Sequence, residues 1–136
     1  MVKVSHEVPI CLLNKSRDFN DYDYCLPHLL DKNLEYEKYF RDAKEKGRYI
    51  IMDNSLHELG KAYDKERLLH WIKVLKPNEF VIPDVWEDME GSIKNAKEWI
   101  NIQLPDNVEK VVVIQAKTIT EAIDCTIKYK ELGYKK

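Results

Sequence analysis

Three apolar runs recur along this chain at nearly constant intervals, and that regularity constrains the fold more than any other feature. Residues 49–52, 80–82 and 111–114 place Ile51, Ile82 and Ile114 at successive separations of 31 and 32 residues, about the length of one strand-plus-helix unit. Each run is almost continuously β-branched or aromatic, the pattern of strands buried on both faces of a parallel sheet. A fourth apolar segment, residues 8–13, precedes them and is expected to be the first strand.

Helical patterns fill the intervals. Residues 34–46 carry Leu34, Phe40 and Ala43 among charges and stop at Gly47, and residues 64–76 put Leu68, Leu69, Ile72 and Leu75 on one stripe before Pro77. Ile93, Ala96 and Ile100 repeat at helical spacing in the next interval. Thr118 followed by Glu121 has the form of a capping box opening a last helix that runs through Leu132 to Gly133. The fold class expected is therefore α/β, a single domain over residues 1–136 built from repeated βα units with a parallel sheet. A closed barrel of eight such units needs about 250 residues. This chain holds roughly half that, so the geometry is the first half of a (β/α)8 barrel or a small open sheet, with residues 133–136 where a fifth strand would begin.

Composition removes several function classes. With 22 basic against 24 acidic residues and a net charge of −2, no global field favours a polyanion. The cysteines are Cys11, Cys25 and Cys125, odd in number and without C-x-x-C spacing, which disfavours a disulfide framework or a structural zinc site and suits reduced thiols in the cytoplasm. Neither an export signal nor a membrane span is indicated. The four glycines include no G-x-G arrangement, so phosphate cradling has no support, and no cofactor motif is present.

In parallel α/β folds ligands bind beyond the carboxyl ends of the strands. Those ends carry polar groups at nearly one register: Asp53, Asn54, Ser55, His57 and Glu58 after the second strand; Asp84, Trp86, Glu87 and Asp88 after the third; Gln115 and Lys117 after the fourth. Such residues also start loops and cap helices, but three aligned strand ends argue for a ligand. Two carboxylates and an amide suit a general base together with recognition of the N–H edge of a planar, purine-like base, and Trp86 offers a face for stacking. The alternative, a divalent cation held by Asp53, Glu58, Asp84 and Asp88, is fixed by no spacing. A Ser or Cys nucleophile has less support still, since Ser55 lacks the glycines of a nucleophile elbow. Among the histidines, His57 belongs with the site, His28 reads as a hydrogen-bonded core residue, and His6 and His70 read as surface. Trp71 and Trp99 are expected to pack on the sheet.

The stretches YIIMDNSLHELG, EFVIPDVWEDMEGSIKNA and VVVIQAKTITEAIDC, in this order and with these gaps, resemble the tRNA-guanine transglycosylase superfamily. The closer likeness is to phage-type members that put deazaguanine bases into DNA. The preceding YDYCLPHLLDKNLEYEKYFRDAKEKG is similar to the segment before the first motif, so the resemblance runs from about Asp23 to Gly133. It implies a (β/α)8 barrel that exchanges a nucleobase at a glycosidic bond. Asp53 matches the aspartate that opens the family's D-S-G-G-[FY]-Q motif and handles a proton near the reacting base. Asp84 matches the aspartate that holds the base's edge, and Gln115 the glutamine that contacts the base.

Departures from the pattern limit what carries over. Ser55 and Leu56 replace the two glycines, and Ala116 follows the glutamine where the family has glycine. The family's nucleophilic aspartate and cysteine-rich zinc site belong to the second half of the barrel, beyond the span of this sequence. Two expectations follow. One is half of a split or truncated transferase, completed by a homo-oligomer or a partner chain and acting on a purine-type base or nucleic acid. The other is a non-catalytic purine-binding or protein-interaction domain.

Overall fold

The computed structural model describes residues 2–136. Four short strands, β1 (Asp23–Cys25), β2 (Ile50–Met52), β3 (Glu79–Val81) and β4 (Glu109–Val111), form one sheet. All neighbours are parallel and the spatial order is the chain order, β1-β2-β3-β4. Seven helices accompany them: α1 (Leu13–Ser16), α2 (Pro27–Lys32), α3 (Leu34–Glu45), α4 (Leu56–Leu59), α5 (Lys65–Leu75), α6 (Met89–Ile100) and α7 (Ile119–Glu131). The expected α/β class with repeated βα units and a parallel sheet is what the chain forms.

The first strand is not where the apolar pattern put it. Residues 8–13 contain Pro9, which lacks an N–H for a ladder, and they form a 3-10 turn (Ile10–Leu12) leading into α1 instead. The true β1 is masked by Asp23, a buried carboxylate that opens the strand. Its charge is met by Arg48, whose Nε donates at 2.5 Å, and by the Tyr39 hydroxyl at 2.8 Å. A strand can hold such a group only when partners replace its lost water.

The helices start and stop as their sequences dictate. Asn33, Asp64, Asp88 and Thr118 each accept the backbone N–H three residues on, at the N-caps of α3, α5, α6 and α7. Glu121 answers Thr118, although its carboxylate takes the N–H of Lys117, one residue earlier than a standard capping box. At the other end of α6, the Lys110 ammonium donates to the carbonyls of Trp99, Ile100 and Ile102, satisfying groups the helix leaves open.

Register assigns the two faces of the sheet. Cys25, Ile50, Met52, Phe80 and Ile82 lie on one face and are fully buried against Leu30, Phe40, Leu68, Ile72, Ile93 and Trp99 of the helices. Phe80 and Trp99 meet ring to ring at 5.2 Å, and Trp71 is buried as expected. Tyr24, Ile51 and Val111 on the opposite face are only half-buried, with Val81 the exception. One face is thus helix-covered and the other open. Residues 133–136 form no strand, but the N–H of Val112 donates to the carbonyl of Lys136 at 3.1 Å, which brings the tail to the free edge of β4. No helix among the described residues is long and apolar enough to cross a membrane.

Candidate functional site

The carboxyl ends of β2, β3 and β4 converge on a cleft of about 200 Å³. Asp53, Asn54, His57, Glu58, Asp84, Trp86 and Gln115 line it, together with Tyr24, Leu56 and Val113. Of the polar residues expected at these strand ends, Glu87, Asp88 and Lys117 are not in the wall, and neither is Ser55. Ser55 is fully buried, and its hydroxyl meets His28 Nδ1 at 2.8 Å.

Asp53 continues the β2 ladder by donating its N–H to the Cys25 carbonyl, which fixes where its side chain begins. One carboxylate oxygen accepts the Tyr24 hydroxyl at 2.9 Å and the other accepts the Ser55 N–H at 2.8 Å. Burial, and after it the Asp53 carboxylate, push the Tyr24 phenol well up, so Tyr24 stays a donor. The turn that follows has Ser55 in the left-handed region at φ 60°, a conformation that favours glycine.

Asn54 links the strand ends. Its amide nitrogen donates to the Ile82 carbonyl at 2.9 Å and to Asp84 Oδ1 at 2.7 Å, and its oxygen accepts the Leu56 N–H. Gln115 reaches the other side of the same carboxylate: its Nε2 donates to Asp84 Oδ2 at 2.5 Å while its Oε1 accepts the Glu87 N–H at 2.9 Å. Glu87 is itself left-handed at φ 51°. Backbone groups therefore fix both amides with nitrogen toward Asp84, which is 5% exposed. A carboxylate has about four lone-pair sites, so Asp84 keeps acceptor capacity for a ligand, and Gln115 keeps one N–H.

The rim is aromatic. Trp86 is 59% exposed and its ring lies 5.8 Å from that of His57, tilted by 45°. A large exposed indole above a polar floor is a stacking surface for a flat molecule.

Several chemistries are disfavoured by position. Ser55 is closed off from the cleft, and burial first, then Asp53 and Asp23, push the Cys25 thiol up and away from the reactive thiolate. Among the described residues no three His, Cys, Asp or Glu side chains are grouped as metal ligands. Asp88, one of the carboxylates considered for a cation, instead caps α6. Lys117 is exposed and is not part of the cleft wall.

The sequence reading missed Tyr24, because β1 was assigned elsewhere; the alternation in DYDYC was the available signal. Glu7, which is exposed and outside the cleft wall, has its carboxyl raised by partial desolvation and then by the nearby Glu58 and Asp53 charges. His28 is buried and hydrogen-bonded as expected of a core residue, but its partner is the turn that carries the cleft. Comparison with protein-family models, curated proteins and solved structures returns no match.

Proposed function

We propose that this chain binds a guanine-type base in the cleft between β2, β3 and β4. The observation that carries the reading is the Asp84 carboxylate flanked by two amides whose orientations the backbone fixes. Asp84 accepts from two adjacent N–H groups of the ligand, and the remaining Gln115 N–H meets a neighbouring carbonyl oxygen. A guanine or deazaguanine edge presents that donor, donor, acceptor sequence; an adenine edge does not. Trp86 stacks on the ring, and Asp53, at the cleft floor beside Tyr24, is the group placed to handle a proton.

The sequential parallel order with one helix-covered face is also the arrangement of half a (β/α)8 barrel, in keeping with a base-exchanging transferase. Exchange at a glycosidic bond calls for a nucleophile facing the sugar from across the barrel mouth, and these four strands do not build that wall. The activity assigned to this chain is base recognition, with exchange only where further βα units close the sheet.

Titration calorimetry with guanine, 7-deazaguanine and adenine tests this. Guanine and deazaguanine release heat, adenine does not, and Asp84→Ala abolishes the signal. Silence with all three, or equal binding of adenine, overturns it.

A second reading, an interaction module, has one specific observation in its favour. Ile119, Ile123 and Ile127 are 82%, 56% and 48% exposed along one stripe of α7. Exposed apolar stripes favour association. Light scattering distinguishes a dimer from a monomer.

A further inference from the structure

The Asp53 carboxylate is aimed into the cleft by the residue two positions on, because one of its oxygens is held by the Ser55 N–H at 2.8 Å. The turn that presents this N–H carries Ser55 at φ 60°, a conformation disfavoured for any residue with a Cβ. Something must hold the turn. Tyr63 contributes by donating its N–H to the Asn54 carbonyl at 2.8 Å. Asn54 Oδ1 accepts the Leu56 N–H at 2.9 Å and the Ser55 carbonyl accepts the Leu59 N–H at 3.2 Å, while the one side-chain tether on Ser55 itself is its hydroxyl, which meets His28 Nδ1 at 2.8 Å in a buried setting.

We propose that His28, at the start of α2 and outside the cleft wall, is a positioning residue that acts through Ser55 to hold Asp53 in place for ligand binding. Its functional consequence rests on the base-binding reading, whereas its effect on Asp53 does not. The imidazole is itself oriented by packing: Tyr63 meets it edge-on at 6.5 Å, and 7% of its surface is exposed. Burial disfavours its charged form, Lys32 on its own helix acts in the same direction, and Glu58 and Asp53 act against them. A single hydrogen bond joins His28 Nδ1 and the Ser55 hydroxyl, its direction set by the ring tautomer.

An indifferent core histidine and a positioning one differ in coupling. If His28 works only through the Ser55 turn, then a glycine at 55, which adopts φ 60° without strain, makes His28 dispensable for Asp53. Asparagine at 28 keeps a polar atom near the Nδ1 position; leucine keeps the bulk without it.

The experiment measures guanine affinity by calorimetry, and the Asp53 carboxyl carbon shift by NMR without ligand, in wild type, His28→Leu, His28→Asn, Ser55→Gly and the His28→Leu/Ser55→Gly double variant. Thermal melts confirm folding. A lost buried hydrogen bond predicts about tenfold weaker guanine binding in His28→Leu, near-wild-type binding in His28→Asn, and no further loss when His28→Leu is added to Ser55→Gly. The Asp53 shift follows the same order. Equal losses from His28→Leu in both backgrounds, or an unmoved Asp53 shift in His28→Leu, overturn the proposal. If wild type binds no guanine, the base-binding reading fails and the ligand-free Asp53 shift still decides the role of His28. Should His28→Leu not fold, His28→Asn against Ser55→Ala carries the same test: the first keeps the wild-type Asp53 shift and the second does not.

Discussion

Gln115 donates from Nε2 to Asp84 at 2.5 Å while its carbonyl oxygen is held by the Glu87 N–H at 2.9 Å. The amide is therefore polarised in one direction, and Asn54 approaches the same carboxylate from the other side with its own nitrogen. Two donors facing one acceptor at three converging strand ends make Asp84 the pivot of the cleft.

Asp84→Asn tests that pivot without changing shape. An amide there turns an N–H toward one of two fixed N–H donors, leaving a buried donor unpaired at a cost of about 1–3 kcal/mol. Urea unfolding is expected to show that loss, and guanine binding to disappear with it. Unchanged stability would mean the amides are free to flip.

A larger effect is expected at the opposite end of β1. Arg48 is the cationic partner of Asp23, whose side chain is 2% exposed. Arg48→Met strands a buried carboxylate and is expected to cost about 3–5 kcal/mol, read as a lowered urea midpoint. Asp23→Asn combined with Arg48→Met is expected to recover part of it.

That ion pair also explains what the sequence concealed. β2 and β3 were legible because Ile50 and Phe80 sit in apolar runs at regular spacing, whereas β4 forms over Glu109–Val111 and meets the expected run 111–114 only at Val111. β1 was not, because two of its three residues are Asp23 and Tyr24, whose partners Arg48, Tyr39 and Asp53 are 16 to 29 residues away in sequence. The site was more legible than the strand. Polar residues directly beyond β2, β3 and β4 must emerge on the same side of a parallel sheet, so Asp53, Asp84 and Gln115 met as their register demanded. The tether from His28 to Ser55 had no such signal, since it depends on a left-handed turn that a serine does not announce.

Stability is expected to fall on mild acidification through His28. Burial lowers its folded pKa below the ordinary histidine value of 6.5, so the unfolded chain takes up the proton first and stability rises with pH in that range. The contribution is complete above about pH 6.5 and is lost as pH falls toward the folded value. Urea midpoints at pH 7.5 and 5.0 check this, with a smaller difference expected in His28→Asn.

Thiol labelling reports the packing of the helix-covered face. Cys11 is exposed, and Cys25 and Cys125 are buried and free. Iodoacetamide is expected to modify Cys11 alone in the folded protein and all three in denaturant, with burial protecting the other two. Rapid native modification of Cys25 would contradict the closed core beneath Asp53.

The central claim is that Asp84 and Gln115 read the edge of a guanine-type base. Its most direct test follows the side-chain amide resonances of Gln115 and Asn54 by 15N NMR during titration with guanine and with adenine. The account predicts that guanine moves the Gln115 Nε2 resonances saturably, that adenine leaves them in place, and that Asp84→Ala removes the response. Gln115 resonances unmoved by guanine in the folded wild-type protein would contradict it.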